Sequence, residues 1–327
     1  IKTNDNKWDM AGHRQRLIPV SEKALGLFAQ LYDEPGTPAS QARLPALHSQ
    51  QLQRVLEKFA AAQKRLGDLQ GEYYATVMWD ETNAVKKDGT IRRNTSFSAD
   101  PRELVLSGPH FYVGSPLYKT PRTICTEKGH YDCLDLTSLP DDYLPRTNYR
   151  PDVAPSEYLA RTARVPWGEK KPVTEFYRWV ARRRLDPALE RTLVCSVAPE
   201  RSGHVHPVLS LTFKHLGLLP GFLASSASVV FDFFIKSTGK ADLYESTLKT
   251  FPLLFEAGSK AAALRALTLS CLTTHYADLW SECWDEAFCQ QRWAKQDSRL
   301  PNSFFTNLTP TWQRDCALRS DYARRQA

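Results

Sequence analysis

Hydrophobic positions change their period twice along the chain. Within residues 17–70, Leu52, Val55, Leu56, Phe59, Ala62, Leu66 and Leu69 recur three and four apart with Gln, Lys and Arg between them, which predicts a helix. The break EPGTPAS at 34–40 separates it from a shorter helix around 24–31. From Glu72 the period shortens. EYYATVMWDET is rich in strand-forming residues, a polar loop KKDGTIRRN (86–94) follows, and ELVLS and HFYVG read as short strands. TEFYRWVARRRL reads as a helix with Phe176, Trp179, Val180 and Arg183 along one side. RTLVCSVAPE (191–200) and VLSLTFK (208–214) read as two strands joined by a His-containing loop. Residues 218–235 predict a helix ending near Gly239. Then 259–288 predicts one long helix covered on two sides, and the region from 309 or 310 to the end predicts a last one. The expected fold is α+β. A mixed short-strand lobe at 71–256 is flanked by helical regions at 1–70 and 257–327.

Inside the lobe, SGPHFYVGSPLYKTPR (107–122) fits neither element. Gly108, Pro109, Gly114, Pro116 and Pro121 make the backbone turn repeatedly. Phe111, Tyr112 and Tyr118 need something to pack against, and Lys119 and Arg122 want an anion.

With 327 residues, 42% of them hydrophobic and 24% charged, the chain has the balance of a globular protein. No apolar run reaches the roughly 18 residues of a membrane span and no signal-peptide pattern is visible, so a cytoplasmic location is expected. The chain opens on Ile1 in mid-pattern and stops inside a helical pattern, which reads as a piece of a larger polypeptide. Lys and Arg outnumber Asp and Glu 43 to 36, for a net charge of +7. The excess is clustered: residues 161–191 hold nine basic side chains against four acids, and 86–128 hold eight against four. Basic clusters interleaved with aromatics are the footprint expected for nucleic acid, with a solvated basic face as the plain alternative. Seven cysteines without a CxxC suit a reducing compartment, where Cys serves as a small buried hydrophobe.

Four chemistries fail on the sequence. Neither GxxxxGK[ST] nor GxGxxG occurs, so no phosphate-cradling loop of those types is expected. His204 and His206 are two apart, which on a strand puts both imidazoles on one face, yet no third ligand at typical spacing completes a metal site. Pro151-Asp152 with Glu169-Lys170-Lys171 spells the PD…ExK of Mg²⁺-dependent nucleases, but that chemistry wants ExK on a hydrophobic strand and PWGEKKP reads as a turn. Nothing flanking Cys125 suggests a lowered thiol pKa. Binding remains. Arg146, Asn148 and Tyr149 follow Lys119 and Arg122, and Arg and Asn carry donors that suit base edges as well as phosphates. The residues alone leave open whether they tie loops together instead, Arg146 with Asp141 or Asp142 for example.

SGPHFYVGSPLYKTPR, YDCLDLTSLPDDYLPRTNY, VPWGEKKPVTEFYR, FDFFIKSTG, LTLSCLTTHYADLW and ALRSDYARRQA, in that order, resemble the C-terminal part of large bacterial adenine-specific DNA methyltransferases of the type IIG restriction–modification kind, found with phage-defence systems. The opening WDMAGHRQRLIPV is similar to the segment preceding their specificity domain. The resemblance implies a target-recognition region that binds double-stranded DNA, joined to an N-terminal domain that binds S-adenosylmethionine and flips the adenine. The cofactor loop F-x-G-x-G and the N-P-P-Y motif are absent, and no Pro-Pro dipeptide occurs, so no cofactor and no catalytic residue is expected in this chain. The expected DNA-binding set is Lys119, Arg122, Arg146, Asn148, Tyr149, Arg201, His204, His206 and Lys236, with base readers in the loops 86–94 or 200–207. The alternative is a scaffold module that docks partner subunits of a defence complex.

Overall fold

The computed structural model describes residues 2–10, 14–127, 129–253 and 259–327. Among the described residues ten strands are formed: β1 (Tyr73–Thr76), β2 (Ile91–Phe97), β3 (Val105–Leu106), β4 (Lys119–Pro121), β5 (Tyr131–Cys133), β6 (Arg146–Pro151), β7 (Arg178–Arg182), β8 (Cys195–Ala198), β9 (Gly203–His204) and β10 (Val208–Phe213). The α-helices are α1 (Glu22–Tyr32), α2 (Gln50–Ala60), α3 (Glu81–Lys86), α4 (Pro155–Arg161), α5 (Leu218–Ala227), α6 (Val229–Ser237), α7 (Glu245–Leu248), α8 (Ser259–Ser270), α9 (Ala277–Glu282) and α10 (Asp321–Gln326). The fold is α+β. Its centre is an antiparallel sheet in the order β1-β10-β7-β8, beside three two-stranded ribbons, β2-β6, β3-β9 and β4-β5.

Both faces of the sheet are covered, because strand side chains alternate between them. Leu209, Leu211, Phe213, Trp179, Ala181, Cys195 and Val197 share one face with the helical layer, where Phe28, Leu56, Phe222, Phe234 and Leu264 join them. That apolar cluster runs from Ala24 to Cys316 and takes residues from all three segments delimited on the sequence. Val180, Val194, Ala198 and Val208 pack on the other face against Leu106 and Phe111. The Tyr32 hydroxyl lies 2.7 Å from Ser237 Oγ and joins α1 to α6 inside the helical layer. Tyr32→Phe keeps the ring stacked on Phe234 and should cost about 1 kcal/mol, the net worth of one buried hydrogen bond, measured by urea denaturation.

Four expectations on local structure are corrected. TEFYRWVARRRL forms strand β7, because Arg178 and Arg182 alternate with Trp179 and Ala181 and are buried or half-buried themselves. Arg178 donates to the Ser202 carbonyl and to Ser202 Oγ, and Arg182 to the carbonyls of Gly108 and Phe111 at 2.8 Å each. HFYVG is a 3-10 turn and a loop, held by those Arg182 bonds and by Gly114, whose amide reaches Cys195 O from a φ of +64°. The 259–288 helix stops at Ser270, where Thr274 gives its amide to Asp141 O at 2.7 Å rather than to the helix. Past residue 309, α-helix is confined to α10. Arg314, Arg319 and Arg324 there donate to carbonyls of Leu139, Leu272 and Leu269, which holds the segment in irregular form. Among the described residues no single helix is long and apolar enough to cross a membrane.

Candidate nucleic-acid interface

The sequence KKDGTIRRN divides between a helix end and a strand. Asp80 caps α3 by accepting from the amides of Thr82 and Asn83, and Asn83 O takes the amides of Lys87 and Asp88. Gly89 then turns the chain at φ +58°, where a side chain would strain the backbone. Ile91 follows, fully buried against Ala84, Val105, Tyr158 and Val205. Ala84 and Ile91 thus anchor the segment from within and leave Lys86, Lys87, Arg92 and Arg93 exposed.

β2 pairs with β6 in the register Ile91↔Pro151, Arg92↔Arg150, Arg93↔Tyr149, then Ser96↔Thr147 and Phe97↔Arg146 past an irregularity between Arg93 and Ser96. Two guanidiniums therefore stand opposite each other, Arg92 and Arg150. Arg150 is answered by Glu103 at 2.7 Å, whereas among the described residues Arg92 has only Asp152, at 3.5 Å and half in solvent. The β4-β5 ribbon is tied alongside, since Arg146 N donates to Thr120 Oγ1 at 3.1 Å and Asn148 Nδ2 to Tyr131 Oη at 2.6 Å.

Of the nine expected DNA contacts, the ribbons gather five: Lys119, Arg122, Arg146, Asn148 and Tyr149. Lys119 lies over the Tyr118 ring, and Arg122 pairs with Asp132 at 2.9 Å with both side chains more than half exposed. Arg146 lies over Phe97 at 4.2 Å; Asp141 is taken instead by Arg314 and Arg319. Asn148 is occupied inside the fold, donating to Tyr131 and Cys125 and facing Thr95 Oγ1. Tyr149 bonds Glu81, whose carboxyl is pushed up by burial.

The other four are not brought to the ribbons as a set. His204 is fully buried, its Nε2 2.8 Å from Ser210 Oγ and its Nδ1 donating to Val205 O, so it cannot reach a ligand on the surface. His206 is half-buried and faces Arg183 Nη1, so the two imidazoles have separate partners. Lys236 donates to Leu189 O at 3.1 Å on α6, in the helical layer. Arg201 alone of the four is exposed, at φ +66° on the loop before β9. Half of 200–207 is therefore core, because Ser202, Gly203, His204 and Val205 are all buried. The loop 86–94 is the exposed one of the two.

Charge clustering also misled for part of 161–191, although Arg164, Lys170, Lys171 and Arg184 are exposed. Arg161 bonds Asp88 O, Thr90 and Glu157; Arg178 and Arg182 bond carbonyls; Arg191 bonds Ala227 O and lies beside the buried Asp232. Guanidiniums used as carbonyl clamps look in sequence like a basic surface. Asp152, Glu169 and Lys171 do not form a nuclease centre: Asp152 faces Arg92, and Glu169, 85% exposed, lies by Lys171 in a turn with Gly168 and Lys170 at positive φ. Among the described residues no group of three His, Cys, Asp or Glu side chains could hold a metal ion. No protein-family model matches the chain, and no curated protein matches it.

Proposed function

We propose that the joined β2-β6 and β4-β5 ribbons are the duplex-DNA contact of the target-recognition portion of an adenine-specific, S-adenosylmethionine-dependent DNA methyltransferase of a restriction–modification or phage-defence system. The observation that carries this reading is Arg92, exposed on a two-stranded ribbon next to Lys86 and Lys87, while Arg93 donates to Cys125 O and the arginines of β7 and α4 are spent inside the fold. A two-stranded ribbon has the width of the major groove, and an Arg can meet the O6 and N7 of guanine with two bonds. Arg92 is the base reader in this reading, and Lys119 and Arg122 hold phosphate.

The measurement is a competition assay on duplex libraries at two salt concentrations. Arg92→Ala should relax the preferred sequence, at about 1–3 kcal/mol of lost discrimination. Lys119→Ala should weaken cognate and random duplex alike and lower the salt slope by about one unit. Should affinity prove independent of salt, the interface does not neutralise phosphates and the scaffold reading takes over. That second reading is favoured by one observation, the exposed apolar side chains Leu189, Val229 and Val230.

A further inference from the structure

The β2-β6 ribbon carries an aromatic side chain on the face where a regular strand would not put it. Arg92 stands opposite Arg150, and Phe97 opposite Arg146. On β6 residues 146 and 150 are four apart, so both pairs share one face. On β2, however, Phe97 is five residues from Arg92, and an odd interval on a regular strand leads to the opposite face. The irregularity between Arg93 and Ser96, where β2 advances three residues against two on β6, supplies the extra step. Without it Phe97 would lie on the face of Ile91 and Thr147, both fully buried. With it the ring is 53% exposed. Phe97 is held there: the Arg146 guanidinium lies over the ring at 4.2 Å, and Arg150 donates to Phe97 O at 2.5 Å. The ribbon thus turns a large apolar side chain away from the core and fixes it among cations.

We propose that Phe97 reads the C5-methyl group of a thymine in the major groove of duplex DNA, a specificity contact that rests on the duplex reading of the ribbons given above. The thymine methyl is the apolar group among the donors and acceptors of that groove, and phenylalanine is one of the side chains that meet it. A ligand that buries this face must offer apolar surface to Phe97 and negative charge to Arg92 and Arg146 at once. A thymine edge set between two phosphate backbones offers both. The base read by Arg92 and the thymine met by Phe97 then belong to one recognised sequence, because the two side chains share a face.

The test is competition binding of the 327-residue chain to a duplex selected from a random library, and to versions of it with one thymidine at a time replaced by deoxyuridine. Deoxyuridine lacks only the methyl and keeps pairing and charge. At one position the replacement should weaken binding about fourfold, the worth of one buried methyl group. Phe97→Ala, which should fold because the ring is half in solvent, should bind thymidine and deoxyuridine probes equally at that position. Its salt slope should be unchanged, since no phosphate contact is lost. Phe97→Leu keeps an apolar side chain and should retain part of the preference. Salt-dependent duplex binding with no deoxyuridine-sensitive position, or a preference that survives in Phe97→Ala, overturns the thymine contact alone. No salt-dependent duplex binding at all overturns the duplex reading, and the thymine contact with it.

Discussion

Gly203→Ala should destabilise the protein by about 3 kcal/mol or more, at the upper end of what overpacking costs. Gly203 opens β9, its amide bonded to Leu104 O at 2.8 Å, and lies against Tyr158 of α4 and Trp79. A Cβ there would overlap the hydroxyl oxygen of Tyr158 and come within 3.3 Å of Trp79 Nε1. Neither can yield freely: Tyr158 is buried, and its hydroxyl takes a 2.6 Å hydrogen bond from Trp79. The clash also identifies its own remedy. Tyr158→Phe removes the overlapping oxygen and should itself cost about 1 kcal/mol for the lost bond. In that background the alanine meets the ring carbon at 3.5 Å, an ordinary contact. The two substitutions should therefore be coupled by about 2 kcal/mol in a double-mutant cycle read by urea denaturation. If Gly203→Ala costs less than about 0.5 kcal/mol, the loop 200–207 is free to move and can again be considered for reading DNA.

Stability should fall steadily as pH drops from 6.5 towards 3, with His204 as the largest single source. Burial first, and the Arg178 guanidinium second, hold its pKa down at about 3. The sign follows from which state binds the proton. Between the unfolded value near 6.5 and the folded value, the unfolded chain is protonated at this position and the folded one is not. The contribution is complete above the unfolded pKa and is lost as pH falls towards the folded one, at about 1.4 kcal/mol per unit and on the order of 4 kcal/mol in all. His110, buried with its Nε2 2.9 Å from Arg146 O, is shifted in the same direction by burial. Glu81 and Glu200 are shifted upward by burial and oppose the trend, since their folded-state affinity for protons is the higher one. Urea-unfolding free energies at pH 7, 6 and 5 measure the slope. His204→Asn should flatten it by up to one proton, and an unchanged slope would place His204 in solvent.

Both predictions concern a segment that reads differently in sequence and in space. SGHVHP has the composition of a polar contact loop, and two histidines two apart suggest a shared face. What removes them from the surface is the parallel pairing of β9 with β3, Leu106 opposite His204, a contact between residues about a hundred positions apart. Arg178 and Arg182 repeat the point. An arginine counts as polar in any periodicity, so a strand with two arginines four apart reads as an amphipathic helix until the carbonyls that bury them are known. The 86–94 stretch was legible as exposed and basic. That it is half helix end and half strand, with Arg92 opposite Arg150, depended on the register with β6.

By itself the sequence determined the α+β class and strands β1, β3, β8 and β10, because there the local period and the burial agree; the single helix it predicts over 218–235 is broken at the extended Ser228 into α5 and α6. The sequence determined as well that Gly114 must turn the chain. The tertiary structure alone decided which basic side chains are available to a partner. A guanidinium that donates to carbonyls across the fold and one that faces water have the same letter and the same local context, and only the long-range partner tells them apart.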